Sequence, residues 1–156
     1  MIWAVVDTAV WVQGFGRPAS PAGIVVNRFL EGDFLAVASG PLLEELYEVL
    51  RLPRFASIFP DAAGLAGLVA LSIGHVVADL KREAPVDGPA NPAAQAASAT
   101  QADFIVTGDE VLLDVAIVDT ANVVIADHFL EVLEAESKPW TQLVVPANRS
   151  HADSKA

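Results

Sequence analysis

The sequence contains no cysteine, and this absence removes several kinds of site at once. Disulfide bridges, zinc sites with thiolate ligands and a thiol nucleophile all require cysteine. Two further signatures are missing, because the chain has neither a Gly-Lys-Ser/Thr phosphate-binding loop nor a Gly-x-Ser-x-Gly nucleophile elbow. A chain without disulfides is typical of a reducing compartment, so we expect the protein to be cytoplasmic.

Basic residues are scarce. Nine Lys and Arg residues stand against twenty Asp and Glu residues, which gives a formal net charge of −11. A surface of this charge repels nucleic acid at long range, which counts against a simple DNA-binding module. Any role on nucleic acid would need metal ions, a local basic patch or a basic partner.

Long uninterrupted apolar segments are also lacking. Residues 62–78 come closest to a membrane span, but glycine and polar residues interrupt them, so a buried helix followed by a strand is the simpler interpretation. The N-terminus has no basic segment and carries Asp7 in its first apolar run, which argues against a secretory signal. At 156 residues, the chain can form one domain with a buried core. We expect that domain at residues 1–136 and a polar tail at residues 137–156.

Short apolar runs alternate with helical patterns, which indicates an α/β fold with a parallel sheet. We expect strands at residues 2–6, 34–38, 76–78, 104–106 and 122–125. We expect helices at residues 21–31, 40–50, 61–71, 93–100, 111–115 and 128–135. Residues 13–19 are rich in glycine and proline and are predicted to form a loop.

Acidic residues follow two of these strands. Asp7 comes directly after the first strand, and Asp109 comes shortly after the strand at 104–106. Ligands bind beyond the carboxyl ends of parallel strands, so both carboxylates are expected at one edge of the sheet. Glu45, early in the helix after the second strand, can join them. Three converging carboxylates favour a hard divalent cation such as Mg²⁺ or Mn²⁺, which can activate a water against a phosphodiester.

Each of these acids also has a simpler explanation, and the residues alone leave both open. Asp7 and Asp109 each precede a helix, so each could act only as an N-cap. Glu45 could be an ordinary solvent-exposed helix residue.

Three stretches carry a more specific pattern: Val5-Val6-Asp7-Thr8-Ala9-Val10, residues 39–50 with Glu45, and residues 102–113 with Ile-Val-Thr-Gly-Asp. With a weaker similarity at residues 123–133, the chain resembles the PIN domain family, in the branch described as toxins of toxin–antitoxin pairs. The resemblance implies a Rossmann-like α/β domain whose central parallel sheet has four or five strands flanked by helices. It also implies cleavage of single-stranded RNA, with Asp7, Glu45 and Asp109 as catalytic ligands of Mg²⁺ or Mn²⁺.

The resemblance further implies partners and supporting residues. An antitoxin protein is expected as a partner in addition to the RNA substrate. We also expect a homodimer, and no association with a membrane. Apolar residues predicted to be exposed favour the dimer as well, namely Phe55, Ile58 and Phe59. The residues predicted to support the site are Thr8, Asp87, Asn91 and Thr107. Phosphate contacts are assigned to Arg17, Arg51 and Arg54, although exposed arginines often only solvate a surface.

Three positions depart from the pattern of the family. Ala9 replaces a usual asparagine, Ala90 replaces a metal-binding acid, and Val111 replaces a further acid. Loss of a carboxylate weakens a hard-cation site, so the alternative is a catalytically silent domain that binds RNA or a protein. Asp87 could substitute for the missing acid, or it could be only a turn residue before Gly88.

Overall fold

The computed structural model describes residues 1–73, 75–77 and 91–137. The strands are β1 Trp3–Val6, β2 Leu35–Ser39, β3 His75–Val77, β4 Phe104–Val106, β5 Ile117–Val118 and β6 Ala121–Val124. The α-helices are α1 Thr8–Gly16, α2 Pro21–Leu30, α3 Gly40–Leu50, α4 Ala62–Ser72, α5 Pro92–Thr100, α6 Glu110–Val115 and α7 Ala126–Ser137. A single 3-10 turn, Pro53–Phe55, lies between α3 and α4.

The strands form one sheet in the order β3-β2-β1-β4-β6-β5. All neighbouring strands are parallel except β5, which pairs antiparallel with β6 at the edge. The predicted α/β fold with a mostly parallel central sheet is therefore confirmed, and the two-residue β5 is an addition that the sequence pattern did not predict. The chain builds outward from β1 through β2 to β3, then crosses to the other side of β1 to form β4. This reversal makes the crevice between β1 and β4 the switch point of the sheet.

Helices cover both faces of the sheet, which explains why its central strands are apolar at every position. Ala4 and Val6 face a core that contains the aromatic rings of α1, α2 and α7. Val5 faces the opposite core, which is built largely from the alanines of α5. Four of those alanines are almost completely buried, so α5 lies close against the sheet, as its small residues predict.

The prediction of a loop at residues 13–19 is wrong in its first half, because α1 extends to Gly16. Glycine at position 14 serves packing rather than a turn. A Cβ added to Gly14 would lie 2.6 Å from Cγ2 of Val26 and 2.8 Å from the carbonyl oxygen of Ala22. Gly14 therefore allows α1 and α2 to approach closely while remaining inside a helix.

The remaining helices agree with the prediction to within a few residues, and capping residues begin most of them. Ser20, Ser39 and Asn91 each accept a hydrogen bond from a backbone N–H in the first turn of the helix that follows. The apolar helix α4 has eleven residues, and no helix in the described part of the chain is long and apolar enough to cross a membrane. The predicted tail lies outside the described residues apart from Ser137, so the domain boundary at residue 136 stays a prediction.

Candidate functional site

The three predicted acids line one pocket at the switch point of the sheet. Asp7 follows β1, and its backbone N–H donates to the carbonyl of Val106 at 2.9 Å, which extends the pairing of β1 with β4. Asp109 follows β4 and therefore stands at the same edge. Glu45 belongs to the second turn of α3, the helix that leaves β2 on the other side of β1. Parallel strand order thus brings together residues that are about a hundred positions apart.

Thr107 connects the two aspartates. Its hydroxyl donates to Oδ2 of Asp7 at 2.7 Å and accepts a hydrogen bond from the backbone N–H of Asp109 at 3.0 Å. The side chain of Thr107 is only 1% exposed, so its hydroxyl is held in place between the two aspartates. Hydrogen bonds to an ionised acceptor are the stronger kind, and this one fixes the orientation of the Asp7 carboxylate.

Thr8 connects Asp7 to Glu45. The backbone N–H of Thr8 donates to Oδ1 of Asp7 at 2.8 Å, and its hydroxyl donates to Oε2 of Glu45 at 3.0 Å. Thr8 is also buried. Together, Thr107 and Thr8 make a continuous chain of hydrogen bonds that runs from the backbone N–H of Asp109 through the carboxylate of Asp7 to the carboxylate of Glu45. Both threonines were predicted only as supporting residues.

Both aspartates are N-caps, as the simpler interpretation of the sequence proposed. Asp7 caps α1 through the bond to Thr8, and Oδ1 of Asp109 accepts from the backbone N–H of Val111 at 2.9 Å. Capping leaves acceptor capacity on each acid, because an ionised carboxylate has about four lone-pair sites. Within the described residues, no hydrogen bond occupies Oδ2 of Asp109 or Oε1 of Glu45. Capping a helix and binding a cation are therefore compatible roles here.

The chemistry of these donors suits a hard divalent cation, since all three acids offer carboxylate oxygens. Their present spacing is more open than a formed metal site. Among the residues that the structure describes, no three His, Asp or Glu side chains lie close enough together to hold an ion. A cation shared by Asp7, Glu45 and Asp109 would therefore have to draw these carboxylates closer together than they lie here.

The pocket has a volume of about 860 Å³ and a second, chemically different side. The pocket is also lined by a set of apolar side chains that we call the apolar wall, formed by Val12, Val49, Phe55, Ile58 and Phe59. Sequence reasoning assigned no site role to these residues, and it predicted the last three to be exposed. That prediction is wrong for Phe59, which is buried against α1 near Gly16, and Phe55 is half-buried. Ile58 is 54% exposed, as predicted.

The other predicted site residues separate into two groups. Arg17, Arg54 and Asn91 line the pocket, and Asn91 also caps α5 by accepting from the backbone N–H of Ala93 at 2.8 Å. Arg51 does not line it, because its guanidinium lies over the ring of Tyr47, with the carbon 4.9 Å from the ring centroid.

The positions that depart from the expected pattern also differ in placement. Ala9 lines the pocket, whereas Val111 is 62% exposed in α6. Asp87 and Ala90 lie outside the described residues. Ala9, where the resemblance to the family led us to expect an asparagine, therefore lies in the pocket next to Asp7.

Comparison with known proteins identifies a family. A family model described as PIN domain matches residues 4–111, well over half of the chain. The matched segment includes Asp7, Glu45 and Asp109 together with both connecting threonines. No curated protein and no solved structure matches the chain.

Proposed function

The chain belongs to the PIN domain family, and from this we propose that it is a metal-dependent ribonuclease that cleaves single-stranded RNA. PIN domains are generally nucleases and typically depend on divalent metal ions. The observation that best supports the proposal is the hydrogen-bonded chain that joins Asp109, Asp7 and Glu45 at the switch point of the sheet. A ligand-binding crevice is expected at this place in an open parallel sheet.

Asp7, Glu45 and Asp109 are the residues that would hold Mg²⁺ or Mn²⁺. When bound, the ion would offset the negative charge of the phosphodiester and supply an activated water. Thr107 and Thr8 orient the carboxylates by donating to one oxygen of Asp7 and one oxygen of Glu45. Because these bonds leave Oε1 of Glu45 free of hydrogen bonds within the described residues, that oxygen remains available as a ligand.

RNA must approach three carboxylates on a chain whose net charge is −11. Arg17 and Arg54 line the same pocket and are the groups that would attract phosphate locally. Neither arginine forms a salt bridge with a carboxylate in the described part of the chain, where ion pairs involve Arg28 instead. The positive charge of these two arginines would attract the RNA phosphates to the pocket despite the negative net charge of the chain.

The departures from the family pattern are expected to weaken metal binding rather than change the chemistry. Ala9 removes a polar neighbour of Asp7, and Ala90 removes a potential ligand. Asp87 as a substitute ligand, with a turn residue as the alternative, stays a prediction that a comparison of metal affinity between wild type and Asp87→Asn would test.

A toxin role with an antitoxin partner and a homodimer is part of the same proposal. The acidic surface favours a basic partner, since complementary charge speeds association and disfavours wrong partners. Exposed Leu68 and Leu71 on the charge-free helix α4 support association with a second copy.

The decisive experiment compares two substitutions on either end of one strand. Asp109→Asn removes a charge beyond the carboxyl end of β4, and Asp103→Asn removes one just before the strand begins. Asp103 accepts a hydrogen bond from the backbone N–H of Trp3 and lies outside the pocket lining. Mn²⁺-dependent cleavage of a single-stranded RNA should fall by at least about 100-fold in Asp109→Asn, because a ligand of the ion contributes several kcal/mol to the reaction. Asp103→Asn should cleave as the wild type does.

Equal cleavage by both variants would refute the assignment of Asp109. If the wild type binds RNA or a protein but cleaves nothing in Mn²⁺ or Mg²⁺, the chain is the silent binding module instead.

A further inference from the structure

The apolar wall has no role in holding a cation, yet its five side chains line the same pocket as the acids. Ile58 is 54% exposed there, and Phe55 is half-buried beside it. Exposed apolar surface that faces a polar site commonly marks the place where the nonpolar part of a ligand binds. The pocket volume of about 860 Å³ leaves room for more than an ion and its waters.

Arg54 lines the pocket and contacts the aromatic ring of Phe55 in the apolar wall. Its guanidinium carbon lies 4.9 Å from the centroid of the Phe55 ring, and Phe59 lies next to Phe55 with ring centroids 5.8 Å apart. The aromatic contact holds Arg54 by its cation–π attraction while the N–H groups of the guanidinium keep their capacity to donate. A phosphate acceptor and a flat apolar group would therefore find adjacent partners on one short segment, the 3-10 turn and the residues just after it.

We propose that the apolar wall, with Arg54, binds an unpaired nucleobase and the phosphate attached to it. The inference rests on the proposed ribonuclease function, and it adds the part of the substrate that the site recognises. Single-stranded nucleic acid is recognised by stacking bases on aromatic side chains or guanidinium planes beside groups that contact the backbone. A paired base cannot present its face to Ile58 and Phe55, because neighbouring base pairs cover both of its faces. The wall thus selects unpaired over paired strands.

The test measures binding without cleavage. Fluorescence anisotropy in EDTA at low salt would compare a short single-stranded oligoribonucleotide with the same strand carrying abasic residues. Phe55→Leu should weaken binding of the base-containing strand about 5-fold or more, as removal of a base-stacking contact does. Ile58→Ala should weaken it by a similar factor, because less apolar surface then covers the base. Ile58→Ala should not change binding of the abasic strand, whereas Phe55→Leu also removes the ring that holds Arg54. Ile24→Ala, which shortens an isoleucine that is 42% exposed on α2, is the matched control and should bind as the wild type does.

Arg54 provides a second and independent measurement. Arg54→Gln should reduce the slope of log affinity against log salt by about 0.7, the value for one phosphate contact on a single strand, and it should do so for both strands.

Three results would overturn the inference: wild-type affinity in Ile58→Ala, an equal loss of affinity for the abasic strand, or no binding of either strand by the wild type. Failure of the proposed function has a different signature. Base-dependent binding without metal-dependent cleavage would support base binding by the apolar wall and refute the ribonuclease proposal. Metal-dependent cleavage, together with wild-type affinity in Ile58→Ala, would support the ribonuclease proposal and refute base binding by the wall.

Discussion

Thr107→Val tests whether the hydrogen-bonded chain organises the acidic site. Valine preserves the volume and branching of threonine but removes the hydroxyl, which donates to Asp7 at 2.7 Å and accepts from the backbone N–H of Asp109 at 3.0 Å. A hydrogen bond to a charged group contributes about 1.5–3 kcal/mol. The partners left behind, Asp7 and Asp109, line the open pocket, so water can replace part of what the hydroxyl provided. We therefore expect the free energy of unfolding to fall by about 2 kcal/mol.

Urea unfolding monitored by circular dichroism would measure this loss, and Mn²⁺ titration calorimetry would measure its effect on the site. Metal affinity should fall about 10- to 100-fold, as it does when a group that orients a ligand is removed. Thr107→Ser keeps the hydroxyl and should recover most of both quantities.

A matched control is available in Thr100, which is also buried but donates only to carbonyls of its own helix, to Ala96 at 2.8 Å and to Ala97 at 3.4 Å. Thr100→Val should cost less than about 1 kcal/mol, because bonds of this kind contribute little to helix stability. If Thr107→Val changes the unfolding free energy no more than Thr100→Val does, the hydrogen-bonded chain does not organise the site.

Two further predictions concern packing and assembly. Gly14→Ala should lower the free energy of unfolding, measured with heat or urea, by about 1–3 kcal/mol, because the new Cβ meets Val26 and the backbone of α2. Gly67→Ala should raise it by about 0.4–1 kcal/mol, because its Cβ meets nothing within 4 Å. An equal effect of the two substitutions would contradict the close approach of α1 and α2. Light scattering at micromolar concentration should give the mass of a homodimer, and Leu71→Glu, at a residue that is 89% exposed, should shift that mass to the monomer's. A monomeric wild type would remove the dimer from the proposal.

The strands and the edge of the sheet at which the two aspartates lie could be predicted because both follow from local signals. An apolar run such as Phe104–Val106 that ends at a glycine and an aspartate identifies a buried strand and the edge that it reaches. Capping residues before each helix place most helix starts within a residue or two. Parallel pairing then brings Asp7 and Asp109 to one edge without any knowledge of distant contacts.

Other features could not be predicted because they depend on contacts between distant segments. Gly14 has the local appearance of a turn residue, and only the position of Val26 on the neighbouring helix shows why glycine is needed. Phe59 looked exposed because the segment 55–59 has no clear periodicity, yet the 3-10 turn folds it back over the end of α1. The apolar wall escaped detection for the same reason, since its members come from α1, α3 and the segment after α3.

Glu45 distinguishes a functional site from a purely structural one better than either aspartate does. A carboxylate after a strand and before a helix is favoured for capping alone, so Asp7 and Asp109 would be retained even in a chain that binds no metal. Glu45 caps nothing, because it lies in the second turn of α3, where Ser39 already provides the cap. Its side chain instead accepts a hydrogen bond from the buried hydroxyl of Thr8, the residue next to Asp7, so Glu45 lies in the pocket without stabilising the end of its helix. A cation shared with Asp7 is the role that we propose for a carboxylate in that position.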